Sequence, residues 1–276
     1  MKGLLKPLRV VAAVLLFFSI NAAFLAPIVS AALFLDAAPD FTWTARLQFL
    51  PALLALNVVA VIAVLAVTLL FGRVYCSTVC PLGVLQDVFI RLRRPFAKRG
   101  FSADRSGFRW IVPLAVLVPL AFCGVTALAS ALDPFSAYGR LVANLVRPAF
   151  QWAVNCGAAW SDAHEKYWLM SGEIAVPAAI ALAVSALTLV FVAVLAFWKG
   201  RWLCNRLCPV GGCLALASAR PLVRLRIDAA KCVGCGVCER GCKSGAIDFK
   251  AKDIDNSRCV RCFNCLGACR KGAIGR

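Results

Sequence analysis

Eight of the fifteen cysteines in this 276-residue chain crowd into its C-terminal tail. They read Cys232-VG-Cys235-GV-Cys238-ERG-Cys242 and Cys259-VR-Cys262-FN-Cys265-LGA-Cys269. Each copy is C-x2-C-x2-C-x3-C. Three thiolates so closely spaced can bind three irons of one [4Fe–4S] cube, while in tandem copies the fourth reaches across to the other cube. One cluster is therefore expected on Cys232, Cys235, Cys238 and Cys269. The other is expected on Cys259, Cys262, Cys265 and Cys242. Zinc modules also use C-x2-C pairs, but eight cysteines at this doubled spacing with no histidine nearby favour cubes.

Residues 226–276 resemble bacterial two-cluster ferredoxins, with one departure. Those proteins usually carry proline after the fourth cysteine, where this chain has Lys243 and Arg270. Two cations beside the cubes favour the more negative reduced state, so potentials are expected above those of an acidic ferredoxin. From Arg220 to Arg276 there are 13 basic and 5 acidic residues. Such a surface suits an anionic leaflet or an acidic partner, or is simply the positive bias usual beside a membrane. Short strands are expected at Arg226–Asp228 and Ala246–Phe249, with at most a minimal strand at the end.

A second cysteine set is doubled as well. Residues 72–83 read GRVYCSTVCPLG and residues 200–211 read GRWLCNRLCPVG, identical at six of twelve positions. Cysteines four apart share one face of a helix, and Pro81 and Pro209 suit the first position of the next helix. The pairs Cys76/Cys80 and Cys204/Cys208 can converge, and four soft thiolates there suit a metal ion or an Fe–S centre. A dithiol–disulfide pair and plain packing of a helix junction stay open. Gly72, Gly83, Gly200 and Gly211 read as turn glycines. Arg73 and Arg201 read as anchors at the headgroup edge. Gln86 and Asp87 read as orienting a turn, with proton handling open.

The elements that must position these cysteines are apolar. Hydrophobic residues make up 62% of the chain and its mean hydropathy is +0.81, which excludes an ordinary soluble domain. Four stretches reach the roughly 20 residues needed to span a bilayer, about Leu8–Leu35, Leu47–Phe71, Trp110–Leu132 and Ile174–Trp198. The first is too long for a signal-peptide core and is read as a retained span. Lys and Arg number 3 at the N-terminus, 8 in residues 72–109 and 16 from Lys199 onward, against 4 in the two remaining connections. The positive-inside rule then puts both termini of a multi-pass membrane protein in the cytoplasm. The net charge of +18 is topology, and no nucleic-acid partner is expected, since aromatic residues suited to base stacking are not interleaved with the basic ones.

The expected fold is a membrane all-α domain over residues 1–219, followed by a small α+β two-cluster domain over residues 220–276. The membrane domain is a parallel internal repeat with halves of about 1–95 and 96–219, related by an axis along the membrane normal. Residues 133–173 carry apolar residues at helical spacing with Arg140, Arg147, Trp152 and Trp160, and are expected at the outer interface, covering helix ends or docking an external partner. Cys123 and Cys213 read as packing and Cys156 as a free thiol. His164 is the only histidine, so haem is not expected.

Four spans, two C-x-x-x-C-P motifs and the two-cluster tail together resemble the NapH type of membrane iron–sulfur protein, with parts shared by the NosR and CcoG kinds. The resemblance implies an electron-transfer component, a quinol dehydrogenase partner passing electrons from membrane quinol to a separate redox protein. An alternative in the same group is a factor that reduces a metal or assembles a metalloenzyme cofactor. Neither spacing nor composition reveals a quinone site.

Overall fold

The computed structural model describes residues 4–33, 41, 43–93, 101, 133–166 and 168–275. The stretch expected as a span at Trp110–Leu132, with Cys123, lies outside the described residues. Helix α1 (Leu5–Ala32) and a later helix, α9 (Ala179–Lys199), are the two described helices long and apolar enough to cross a membrane. Large apolar side chains on both face outward, among them Leu15, Phe18, Ile180 and Leu187. Exposed to water that surface would cost about 25 cal/mol per Å², so these faces belong in lipid. The polar Asn21 inside α1 is satisfied. Its amide donates to Phe17 O at 2.7 Å and its carbonyl accepts from the Tyr138 hydroxyl at 2.9 Å.

The expected continuous span at Leu47–Phe71 is corrected by the structure. Here α2 (Trp43–Arg46), α3 (Phe49–Leu54) and α4 (Val58–Phe71) follow one another. Leu56 sits in the left-handed region at φ 54°, and the Asn57 side chain caps α4 by accepting from Ala60 N. Helix α4 has 14 residues, a rise of about 21 Å, shorter than a hydrocarbon core of about 30 Å. The expected span at Ile174–Trp198 starts late, because residues 174–178 are not helical.

Each cysteine motif is a one-turn helix followed by a longer one. In the first repeat these are α5 (Tyr75–Thr78) and α6 (Pro81–Arg93). Helix α7 (Pro134–Leu141) opens with Asp133 accepting from Ser136 N, and a π-helical turn at Val142–Val146 leads into α8 (Arg147–Ala163). The π turn precedes Pro148, which has no N–H to continue the ladder. This helical run covers α1, α6 and α9, leaving Trp152 and Trp160 outward. The second motif forms α10 (Trp202–Arg206) and α11 (Pro209–Ala217). The repeats are interlocked: α6 packs on α9 and α11 packs on α4. A shared core joins Ile20 of α1, Tyr75, Cys76, Cys80, Cys208 and Leu214.

The tail folds around two antiparallel strand pairs. Strand β1 (Arg226–Ile227) pairs with β4 (Ile274–Gly275), and β2 (Ile247–Asp248) with β3 (Asp253–Ile254). Short helices α12 (Val237–Arg240) and α13 (Asn264–Ala268) each carry the third cysteine of a motif. Leu225, Ile247, Ile254 and Ile274 form its core with Cys242 and Cys265.

Candidate iron–sulfur centres

The doubled stretch has a local reason for nearly every shared residue. Gly72 and Gly200 end α4 and α9 in the left-handed region, at φ 80° and 64°. The chain then turns back into the core. Cys80 and Cys208 stand immediately before Pro81 and Pro209, so each caps a helix whose first residue needs no N–H partner. Gly211 N donates to Cys208 Sγ at 3.2 Å, and the Gly83 N–H does the same for Cys80. A Cβ on Gly83 would strike Cys76 O, and one on Gly211 would strike Cys204 O. The pattern C-x-x-x-C-P-x-G is thus a cysteine-capped helix with a glycine where two chains touch.

All four motif cysteines are buried. They are also mutual neighbours: Cys80 interacts with Cys204 and Cys76, and Cys208 with Cys204, Cys80 and Cys76. Burial, then the neighbouring thiols, push Cys80 and Cys208 well above the usual thiol range. Burial raises Cys204 against the pull of Arg201, and its thiol donates to Gln86 Oε1 at 3.3 Å. Thiolates at this site therefore require positive charge beside them. Among the described residues, no group of three or more His, Cys, Asp or Glu side chains is arranged to hold a metal ion. A cube makes a different demand, because each thiolate binds its own iron and the sulfurs stand wider apart.

The sequence reading of Arg73 and Arg201 as headgroup anchors is overturned, since both side chains are fully buried. They cross between the repeats. Arg73 Nη2 donates to Cys204 O at 2.9 Å, and Arg201 Nη1 donates to Cys76 O at 2.5 Å. Arg73 Nη1 also reaches Asn205 Oδ1 at 2.7 Å and Ser257 O at 3.0 Å. Arg201 pairs with Asp87, Nη2 to Oδ1 at 2.7 Å. The signal was present in the sequence, in the arginine that precedes each motif, but an arginine at the end of an apolar run ordinarily snorkels to the headgroups.

In the tail a cavity of about 360 Å³ is lined by Cys232, Cys235, Cys238 and Cys269, with Ile227, Phe249 and Ile274. Cys242 lies elsewhere, within electrostatic reach of Cys259, Cys262 and Cys265. The backbone around each middle cysteine alternates into the left-handed region. It does so at Gly234 and Gly236 (φ 70° and 67°) in one motif, and at Arg261 and Phe263 (φ 53° and 57°) in the other. Such alternation aims successive N–H groups into a concavity that suits an anionic Fe–S cluster. Burial raises Cys242 and Cys238, and pushes Cys259 up to about 12. The two donor sets, the cavity and the N–H nests fit two cubes.

The tail sits directly on the membrane domain. Val260 is fully buried in the core that holds Cys76, Cys80 and Cys208, and Cys262 packs against it. Leu222 N and Val223 N donate to Leu69 O and Leu70 O, and Arg261 Nη2 donates to Val223 O at 2.7 Å. Lys243, expected as a cation beside a cube, is paired with Asp87 at 2.9 Å. Away from these sites, Cys213 packs at the core edge and Cys156 is exposed. The His164 Nδ1 lies 2.9 Å from Trp160 O.

Comparison with known proteins agrees with this arrangement. Residues 53–99 and again 180–227 match a 4Fe-4S binding domain family, and residues 231–273 match a 4Fe-4S dicluster domain family. The chain thus carries 4Fe-4S binding domains in both repeats and a 4Fe-4S dicluster domain in the tail. The Ferredoxin-type protein NapH of Haemophilus influenzae is 27% identical over 189 residues, 68% of this chain and 53% of that protein. The chain thus spans about half the length of that relative. An uncharacterized protein of Methanocaldococcus jannaschii is 41% identical over 49 residues, 18% of this chain and 20% of that one. No solved structure matches the chain. Within its class, the chain is similar to the ferredoxin-type protein NapH.

Proposed function

We propose that this protein relays electrons between the quinol pool of a bacterial cytoplasmic membrane and a redox partner protein. Two [4Fe–4S] clusters are held by Cys232, Cys235, Cys238 and Cys269, and by Cys259, Cys262, Cys265 and Cys242. A third Fe–S centre is held by Cys76, Cys80, Cys204 and Cys208. When bound, such clusters each exchange one electron at a time. The observation that carries the reading is the seating of Val260 and Cys262 against the core that contains Cys76, Cys80 and Cys208.

That seating supports an order. The four motif cysteines lie inside the membrane domain, the Cys242/Cys259/Cys262/Cys265 set is next, and the set containing exposed Cys235 is outermost. The chain itself does three things in this relay. It buries the innermost thiols away from oxidants and water. It supplies N–H donors to their sulfurs, which raises cluster potentials. It also holds the tail at fixed separation by the contacts of Leu222 and Val223 with Leu69 and Leu70, of Asn205 with Ser244 O and of Lys243 with Asp87.

Anaerobic titration of the full-length protein with a reduced quinol analogue tests the function. Bleaching of the cluster absorbance by quinol at potentials within the quinone range is expected. Clusters that dithionite reduces and quinol leaves oxidised would remove the quinol pool from the reading.

A further inference from the structure

The crossed arginines have a charge problem that the protein alone does not solve. Arg73 is fully buried, and its partners among the described residues are the neutral oxygens of Asn205, Ser257 and Cys204, with Cys76 Sγ at 3.9 Å from Nη2. Its Nε has no partner there. No carboxylate among the described residues pairs with it. On the other repeat, Asp87 compensates Arg201, but the same carboxylate is also bridged by Arg9 and Lys243. Three cations share one anion. With Arg73, these four cations against one carboxylate leave a surplus of three positive charges among the described residues of this cluster. A buried cation without a counter-ion costs several kcal/mol, so the fold demands a negative group at this place.

We propose that Arg73 and Arg201 are the counter-cations of an anionic centre held by Cys76, Cys80, Cys204 and Cys208. Each arginine reaches both cysteine pairs: Arg73 meets Cys76 Sγ of its own repeat and Cys204 O of the other, and Arg201 meets Cys204 of its own repeat and Cys76 O of the other. The proposal rests on the third-centre reading above. It adds that the centre is net negative and that Arg73, the arginine lacking a protein carboxylate, sets its potential. Four thiolates around a [4Fe–4S] core of charge +2 leave a net charge of −2, and reduction makes it −3. Nearby fixed positive charge stabilises the reduced form more than the oxidised one. Neutral thiols, or a disulfide in each pair, would leave Arg73 uncompensated.

The geometry also explains the glycines. Gly211 leaves room for Arg73 Nη2, which would stand 3.0 Å from an added Cβ, and Gly83 does the same for Arg201 Nη1 at 2.9 Å. The arginine, the first cysteine's carbonyl and the glycine opposite form one joint, made twice with the halves exchanged.

The test is redox potentiometry of the full-length protein in lipid nanodiscs, followed by electron paramagnetic resonance, with iron and sulfide determined on the same samples. The wild-type chain is compared with Arg73→Gln and Arg73→Lys. In Arg73→Gln the membrane centre should be harder to reduce, by about tenfold in reduced-to-oxidised ratio at fixed poise, or about 59 mV for one electron. The tail clusters should not move, and Arg73→Lys should recover most of the shift. Loss of the centre in Arg73→Gln with its return in Arg73→Lys also supports the charge role. An unchanged potential in Arg73→Gln, or loss of the centre in both variants, overturns it. If wild-type iron and sulfide account only for the tail clusters, and C204S/C208S leaves the metal content unchanged, the third-centre reading itself fails.

Discussion

The ammonium of Lys243 lies 2.9 Å from Asp87 Oδ2, and the backbone carbonyl of Lys243 accepts from Arg201 N at 3.0 Å. One residue therefore grips the membrane domain with both its side chain and its main chain. It occupies the position, just after Cys242, where two-cluster ferredoxins resembling this tail carry proline. The substitution reads as docking: the tail exchanges a rigid turn for a clamp on both repeats. Because Asp87 also pairs with Arg9 and Arg201, a single carboxylate ties the start of α1, both repeats and the tail.

Burial works to raise the Asp87 carboxyl, but Arg201 and Lys243 overcome it and hold the group well below the usual carboxylate range. A carboxyl whose pKa is depressed on folding stabilises above its unfolded value and loses that contribution as pH falls through the folded value. Docking of the tail should therefore be insensitive to pH from 7 down to about 5 and weaken only below about 4. Asp87→Asn should remove about 3–5 kcal/mol, since it leaves Arg201 buried without its partner. Limited proteolysis between the membrane domain and the tail, scored against pH for both proteins, checks the size and the direction.

Cys242→Ala should disturb the cluster that takes Cys259, Cys262 and Cys265, although Cys242 belongs to the other motif in sequence. The paramagnetic signal of the partner set around Cys232 should persist. A change confined to the Cys232 set would reverse the assignment. Iron and acid-labile sulfide should each reach at least about eight per wild-type chain for two cubes, and about twelve with a third.

Gly83→Ala and Gly211→Ala each place a methyl against a backbone carbonyl, of Cys76 and Cys204 respectively. Neither carbonyl can rotate away, because each accepts an arginine from the other repeat. Overpacking of this kind costs about 1–3 kcal/mol. Thermal unfolding in detergent should shift down for both variants by similar amounts, while a Gly267→Ala control in the tail, where an added Cβ meets nothing within 4 Å, should not shift.

The features legible in the sequence were those set by spacing. Tandem cysteine motifs show themselves because a cube needs closely spaced ligands. A repeat offset of 128 residues likewise implies two cysteine pairs at one depth, and the four thiols do lie together. What escaped was set by tertiary context. The break before α4 rests on Leu56 at positive φ, a conformation a leucine gives no local reason to expect, although Asn57 beside it is an ordinary helix cap. Arg73 and Arg201 escaped for a similar reason. Their burial depends on acceptors more than 100 residues away in sequence, and the arginine repeated ahead of each motif reads equally well as a headgroup anchor.

Both termini should lie on the cytoplasmic side. The argument from sequence is the partition of basic residues, 27 of 31 on one side of the expected spans, which makes the inverted arrangement costly to insert. The structure supplies an independent reason for the two ends to share a face. Arg9, at the start of α1, lies 3.2 Å from the Asp87 carboxylate that also holds Lys243 of the tail. A charged cluster of this size is stable only where water or headgroups reach its edge. Fusions of a cytoplasm-only fluorescent reporter to Met1 and to Arg276 should therefore both be bright, and an export-dependent phosphatase should be inactive at either end. Phosphatase activity after Arg276 would place the tail outside, and activity at Met1 alone would mean that Arg9 and Lys243 cannot share Asp87 in the membrane.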